Sequence, residues 1–419
     1  MDKIEIIGGN PIEGKVNISG SKNAALPILA ACLLTEKTVE LQNIPNLSDI
    51  HSMTDLLRSL NSEIIQGNYL RINCKVPKYK VASYDLVRKM RASFLVLGPL
   101  LTRYGNAKVS LPGGCAIGAR PIDTHLFGLE KMGVKFEFNN GYVIGESKDG
   151  LKGSKINLPI VSVGATENLI MAATLAEGET HISNAAIEPE VSDLCFFLNE
   201  LGADIKGIGT NYLIIKGKSK LNGGRYKVMS DRIEAGTFAL AVLGCGGSIE
   251  MYGINEEIKN HFLKIFSKLK QLNFKYSEKE ENLIVKNLGG SYPSVNISTA
   301  VYPGFPTDLQ AQLIAVMTKA DGISKIKETI FENRFMHVQE LARMGANISL
   351  NGSVANIVGQ KQINGAEVMA TDLRASSSLV IAGLMAKGKT TINRVYHLDR
   401  GYENLECKLA KCNLSIERK

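Results

Sequence analysis

The segment 111–124, LPGGCAIGARPIDT, brings together residue types that do chemistry in combination. Gly113, Gly114 and Gly118 let the backbone approach a ligand closely; Cys115 lies among them and Arg120 follows. A nearby cation and free backbone N–H groups favour thiolate, which makes Cys115 a reactive thiol and a candidate acid/base group. The ordinary alternative, an inert buried thiol, suits Cys32, Cys195 and Cys245 in their apolar runs better than it suits Cys115. A glycine-rich loop on a rigid scaffold can also act as a mobile lid.

A second group stands where apolar helices begin: Ser21-Lys22-Asn23, Arg88-Lys89-Met90-Arg91, Asp231-Arg232, Thr307-Asp308 and Asp372-Leu373-Arg374. Helix N-termini favour anions, so cations there are unfavourable unless an anion bridges them. Asp231 and Asp372 read as helix caps. Lys22, Arg91 and Arg374 together read as an anion site. In YPGFPTD (302–308), Asp308 opens a helix, and a capping carboxylate takes precedence over a catalytic base. Arg400, in HLDR (397–400), is either a surface charge near a cap or a bidentate phosphate clamp.

The elements that must hold these residues repeat. An amphipathic phrase ending before a short strand recurs around Leu60, Met132, Leu201, Leu272, Met344 and Cys412, at spacings near 70 residues. Each unit also carries a helix rich in small residues, such as KNAALPILAACLL (22–34) or DLRASSSLVIAGLM (372–385). The pattern predicts six βαβαββ units, each closing on a hairpin-like pair such as 212–229 or 354–370. Small residues on most faces predict that the first helix of each unit is buried on nearly all sides, while the more charged second helices lie outside. Buried helices with sheets around them make an inverted (inside-out) α/β barrel. Six units exceed one core, which predicts two domains of three units, divided near 229–231.

The 419 residues carry 44% hydrophobic and 21% charged side chains, the balance of an ordinary globular protein. The net charge of +8 is mild, with 6% aromatics and no Trp, so nucleic-acid binding is not expected. The lysine-rich stretch 264–279 reads as a solvated helix face. The charge surplus fits small anionic substrates. Seven Cys without a C-x-x-C pair point to free thiols, and six His without ligand spacing point away from a metal. The longest apolar run, FLVLGPLL (94–101), is too short to span a bilayer, and the start MDKIEIIGG lacks a signal peptide's basic and apolar regions. No membrane association is expected, and a cytoplasmic location is.

SGSKNAALP (19–27), LPGGCAIGARPIDTHL (111–126), SVGAT (162–166), FPTDLQAQ (305–312), FENRFMHV (331–338), ATDLRAS (370–376) and HLDRGYE (397–403) run in order from end to end of the chain. With these segments the chain resembles the UDP-N-acetylglucosamine enolpyruvyl transferases, enzymes of the bacterial cytoplasm that take the first committed step of peptidoglycan synthesis. The resemblance implies a two-domain inverted α/β barrel, with 22–229 as one domain carrying the mobile cysteine loop 111–124. Residues 1–20 plus 231–419 would form the second, with the active site in the cleft between them. It implies transfer of the enolpyruvyl group of phosphoenolpyruvate to the 3′-hydroxyl of UDP-N-acetylglucosamine with release of phosphate, and no cofactor. Lys22, Asn23, Arg120, Arg374 and Arg400 are implied as phosphoenolpyruvate ligands. Cys115 is implied as proton donor, site of a covalent adduct and target of fosfomycin, and Asp308 as the base. Asn23, Arg91, Arg120, Pro121, Ile122, Asp123, Thr124, Ser162, Val163, Gly164, Asp308 and Ile330 are implied as contacts to the nucleotide sugar. Where some relatives carry a Lys just before the Val-Ser-Val-Gly segment (161–164), Ile160 stands here, so no cationic contact to the diphosphate is implied at that position.

Three other functions fit the sequence less well. A shikimate-pathway enolpyruvyl transferase lacks the PGGCAIGARP loop. An RNA 3′-phosphate cyclase calls for a nucleotidylated His and stronger basic patches. A non-catalytic scaffold would most simply have lost Lys22, Cys115, Asp308 or Arg400, and all are present.

Overall fold

The structure is a computed structural model that describes residues 2–112 and 122–419. Cys115, Arg120 and Pro121, with the glycines of their loop, lie outside the described residues.

The repeat unit is built as strand, helix, strand, helix, strand, strand. In one unit it runs Lys155–Asn157, Val163–Thr174, Glu179–Ser183, Pro189–Glu200, Asp204–Lys206 and Tyr212–Lys216. Among the described residues there are six four-stranded sheets. In each, the first strand of the unit runs parallel to the second, as Lys155–Asn157 does beside Glu179–Ser183, and the other pairings are antiparallel. One sheet face is buried and the other faces solvent, which the alternating exposure along Leu70–Cys74 displays.

The small-residue helices occupy the interior. Arg232–Cys245 is buried from Arg232 to Gly244, Gln310–Met317 throughout, and Leu373–Met385 from Arg374 onward. Small side chains are needed because the helices touch. A Cβ on Gly236 would sit 2.6 Å from the Leu309 side chain, and one on Gly244 would sit 2.4 Å from Met385 Sδ. With sheets outside and helices inside, each compact unit is an inverted α/β barrel.

There are two such units. One comprises 2–19 and 230–419, the other 20–112 and 122–229. Their chain routing includes an exchange. Strand Ile12–Asn17 pairs in parallel with Gly247–Tyr252, while strand Gly224–Lys227 pairs in parallel with Val39–Gln42. Ile4–Ile7 completes another sheet between Lys389–Asn393 and Ser415–Arg418. The chain passes from one unit to the other at Ser19–Gly20 and at Met229–Ser230. Gly20 is obligatory there, because a Cβ would lie 1.7 Å from the Asn43 carbonyl oxygen.

Several expectations are corrected. Segments 212–229 and 354–370 are not hairpins: Tyr212–Lys216 and Gly224–Lys227 belong to different sheets, as do Val354–Val358 and Glu367–Met369. The strand alternation is right, but partners are chosen by tertiary packing that local patterning does not encode. The stretch 264–279 is not one helix face, since the helix stops at Ile265 and Leu272–Ser277 is a strand. Helix Pro189–Glu200 is largely buried despite its charges, with Glu190 and Asp193 both inside. Cys245 is half-buried where its helix ends, unlike the enclosed Cys32 and Cys195.

Candidate active site

In the unit formed by 20–112 and 122–229, Ser21 caps helix Lys22–Ala31 by accepting from Ala24 N at 3.4 Å, which places Lys22 and Asn23 in the first turn. Lys22 is 8% exposed, and its Nζ donates to Asp49 Oδ2 at 3.1 Å. Asp49 opens helix Ser48–Ser59. Asp49 is thus one anionic partner of Lys22. Lys22 is the first helical residue, at a helix start as the sequence suggests.

Arg91 begins a 3-10 turn, Arg91–Val96, that runs into helix Leu97–Tyr104; the regular helix starts later than the apolar pattern suggested. Asp123 and Thr124 open helix Asp123–Lys131, whose cap residue is Ile122. Ser162 caps helix Val163–Thr174 by accepting from Ala165 N at 3.3 Å, with Val163 and Gly164 in its first turn. Three of these segments meet at His125, a residue that sequence reasoning passed over. Its Nδ1 lies 3.1 Å from Asn168 Nδ2, and its ring packs edge-on to Phe94 at 5.3 Å. A Cβ on Gly164 would come within 3.3 Å of its Cε1. Burial lowers the His125 imidazole to about 3, and the Arg91 charge adds to the effect. A neutral histidine therefore packs against the Gly164 end of the 162–164 turn.

In the unit formed by 2–19 and 230–419, the centre is Asp308. It stands in the 3-10 turn Thr307–Leu309, whose cap residue is Pro306 and has no side-chain cap bond, so the capping reading of Asp308 is overturned. Instead Asp308 Oδ1 accepts from Arg334 Nη2 at 2.7 Å and Oδ2 from Arg374 Nη2 at 2.8 Å. Burial opposes the charged carboxylate, but the Arg374 and Arg334 guanidiniums override it and hold Asp308 well below the usual carboxylate range. Asp372 caps helix Leu373–Met385 through the N–H groups of Arg374 and Ala375, as its type suggested. This fixes Arg374 at the helix start, 4% exposed, with its guanidinium 5.4 Å from the Tyr402 ring centre. The buried Nε and Nη1 of Arg374 have no protein acceptor among the described residues, so two donors remain for an anion.

Arg334 is the second residue that sequence reasoning missed. It lay inside the quoted FENRFMHV segment, which gave a local motif but no reason to pair it with Asp308. Its Nη1 donates to Thr307 Oγ1 at 3.0 Å, and Thr307 Oγ1 donates to Glu328 Oε2 at 2.9 Å. Glu328 Oε1 accepts from Ile330 N at 2.8 Å, so the Ile330 backbone is tied to the same cluster. Arg400 ends the 3-10 turn Val395–Arg400, half-buried. It lies near His397, whose imidazole is lowered by burial first and by Arg400 second. Among the described residues no group of His, Cys, Asp and Glu could hold a metal ion, and no helix is long and apolar enough to cross a membrane.

The chain is similar to known enolpyruvyl transferases. The family model described as EPSP synthase (3-phosphoshikimate 1-carboxyvinyltransferase) matches residues 6–409. A UDP-N-acetylglucosamine 1-carboxyvinyltransferase of Rhodospirillum centenum is 51% identical over 430 residues, covering 100% of this chain and 99% of the relative. One of Paramagnetospirillum magneticum is also 51% identical, covering 100% and 98%. Among solved structures, the enolpyruvyl transferase NikO from Streptomyces tendae superposes with a TM-score of 0.88 at 23% identity, covering 100% of this chain and 99% of its own. The EPSP synthase of Acinetobacter baumannii gives 0.77 at 19%, covering 100% of each. These two structures share the fold. High identity over the full length is to the nucleotide-sugar enzymes, and the shikimate alternative is set aside on that ground. The chain belongs to the EPSP synthase family of enolpyruvyl transferases, on the branch of the UDP-N-acetylglucosamine 1-carboxyvinyltransferases.

Proposed function

We propose that this enzyme transfers the carboxyvinyl group of phosphoenolpyruvate to the 3′-hydroxyl of UDP-N-acetylglucosamine and releases phosphate. The observation that carries the reading is the 51% identity along the whole chain to enzymes named for that acceptor. Lys22, Arg120 and Arg400 clamp the phosphate and carboxylate of phosphoenolpyruvate, aided by Asn23 and by the two unpartnered donors of Arg374. Arg91, Arg120–Thr124, Ser162–Gly164 and Ile330 hold the nucleotide sugar.

The reaction is an addition followed by an elimination. The acceptor oxygen bonds to the substituted carbon of the enol while Cys115 protonates the methylene carbon, giving a methyl group. Asp308 takes the hydroxyl proton. In the elimination the Cys115 thiolate left by that step takes a proton from the methyl group, the double bond re-forms, and phosphate leaves with the carbon–oxygen bonding electrons. Asp308 held by two guanidiniums is a weak base. An incoming anion that draws Arg374 to itself removes one of those cations and strengthens the base, so phosphoenolpyruvate binding primes the acceptor step. Fosfomycin, an epoxide, alkylates the Cys115 thiolate.

The reading is tested by mass spectrometry of the nucleotide product. The acceptor must carry a carboxyvinyl group in place of its hydroxyl hydrogen; recovery of unchanged nucleotide sugar with both substrates present overturns it.

A further inference from the structure

Asp308 follows directly on a loop held from beneath by one helix. The loop, 299–306, closes on itself: Thr299 bridges to Phe305, Ala300 N donates to the Phe305 carbonyl at 3.0 Å, and Gly304 N donates to the Val301 carbonyl at 2.9 Å. Gly304 permits this closure, since a Cβ there would lie 2.6 Å from that of Ala300. Helix Glu256–Ile265 and the residue after it supply two aromatic seats. The His261 ring lies 4.7 Å from the Tyr302 ring, and the Phe266 ring lies 6.4 Å from that of Phe305, edge-on at 70°. Tyr302 in turn presents its ring to Arg232, whose guanidinium carbon is 5.6 Å from the ring centre. Arg232 is fixed in the first turn of its helix, which Asp231 caps.

His261 is 4% exposed, yet it borders a surface cavity of about 450 Å³ with Tyr302 and Pro303. Burial lowers its imidazole to about 4, with Arg232 acting in the same direction. A neutral ring is what the site requires, because a charged imidazolium would face Arg232 across Tyr302.

We propose that His261 is a positioning residue for the transfer reaction: with Phe266 it seats the Tyr302–Phe305 loop and thereby sets where Asp308 meets Arg334 and Arg374. It works as an aromatic support, not as a proton carrier. The inference rests on the assignment of Asp308 to the acceptor hydroxyl, and the experiment separates the two.

The kinetics of His261→Ala, His261→Phe, Tyr302→Ala, Tyr302→Phe and Asp308→Asn are compared with the wild type, alongside melting temperatures. The Ala variants should lose about tenfold in kcat, since small misplacements of a reacting group are costly, with KM for phosphoenolpyruvate within about twofold. The Phe variants should restore kcat, and the existing cavity leaves room for the larger ring at 261. The pH profile of His261→Phe should overlay that of the wild type. Wild-type kcat in His261→Ala, with Asp308→Asn inactive, overturns the seat and leaves the function intact. Equal loss in His261→Ala and His261→Phe also overturns it, since the imidazole itself would then be needed. Full activity in Asp308→Asn overturns the assignment on which both stand.

Discussion

Arg374 and Asp308 lie 66 residues apart in the chain and meet at 2.8 Å, each held from a different element. Arg374 is fixed by the Asp372 cap at a helix start, and Asp308 by a 3-10 turn that Arg334 grips from the other side. A carboxylate between two guanidiniums is charged at every physiological pH. Its folded pKa lies below the ordinary value, so the stability it contributes is present above that value and lost as pH falls through the folded one.

The first prediction concerns this pair. Asp308→Asn should lower kcat by about 10²–10⁴-fold, the range of a lost general base. Arg334→Met removes one cation and should raise the Asp308 pKa. The acid limb of the kcat/KM profile should then move to higher pH than in the wild type. A profile from pH 4 to 9 on both enzymes checks the direction.

Lys22 and Asp49 give the second. Both are buried, so Lys22→Met takes a cation from beside a buried carboxylate and should lower stability as well as turnover. Charge removal without loss of stability is therefore not expected. The double variant Lys22→Met/Asp49→Asn should recover most of the stability and none of the activity. Chemical denaturation together with a turnover assay separates the two effects.

The third is a pH dependence of folding. Glu234 is 2% exposed; burial raises it to about 7, while Lys408, 2.6 Å away, opposes the shift. Its folded pKa is above its ordinary value. The stability from its protonated form is complete below about 4.5 and is lost as pH rises through about 7. Between those values Glu234→Gln should show a flatter melting temperature than the wild type. Scanning calorimetry at pH 5 and pH 8 measures the difference.

The sixfold βαβαββ repeat and the burial of its small-residue helices were legible because both are periodic and local. Small and apolar residues all around 232–245, among them Ala235, Gly236, Ala239, Ala241 and Gly244, leave no solvent side for that helix. The exchange of strands Ile12–Asn17 and Gly224–Lys227 between sheets was not legible in local patterning, which does not encode strand partners; only the family resemblance implied that the N-terminal residues join the C-terminal half. Asp308 misled for a related reason. A carboxylate before a helix is usually a cap, and nothing in the local sequence points to guanidiniums 26 and 66 residues away. His125 lay one residue beyond the implied contacts, and only its packing against Asn168 and Gly164 marks it.

Cys115 carries the fourth prediction. Cys115→Asp keeps a proton donor but removes the sulfur nucleophile, so it should remain active and escape fosfomycin. Time-dependent inactivation of the two forms compares them; equal inactivation removes Cys115 from the assigned role.

Phosphate release from phosphoenolpyruvate, measured with UDP-N-acetylglucosamine and with shikimate 3-phosphate as acceptors in parallel, tests the central claim most directly. Release that depends on the nucleotide sugar, with none above background for the shikimate ester, is the predicted result. Release with shikimate 3-phosphate alone, or with neither acceptor, contradicts it.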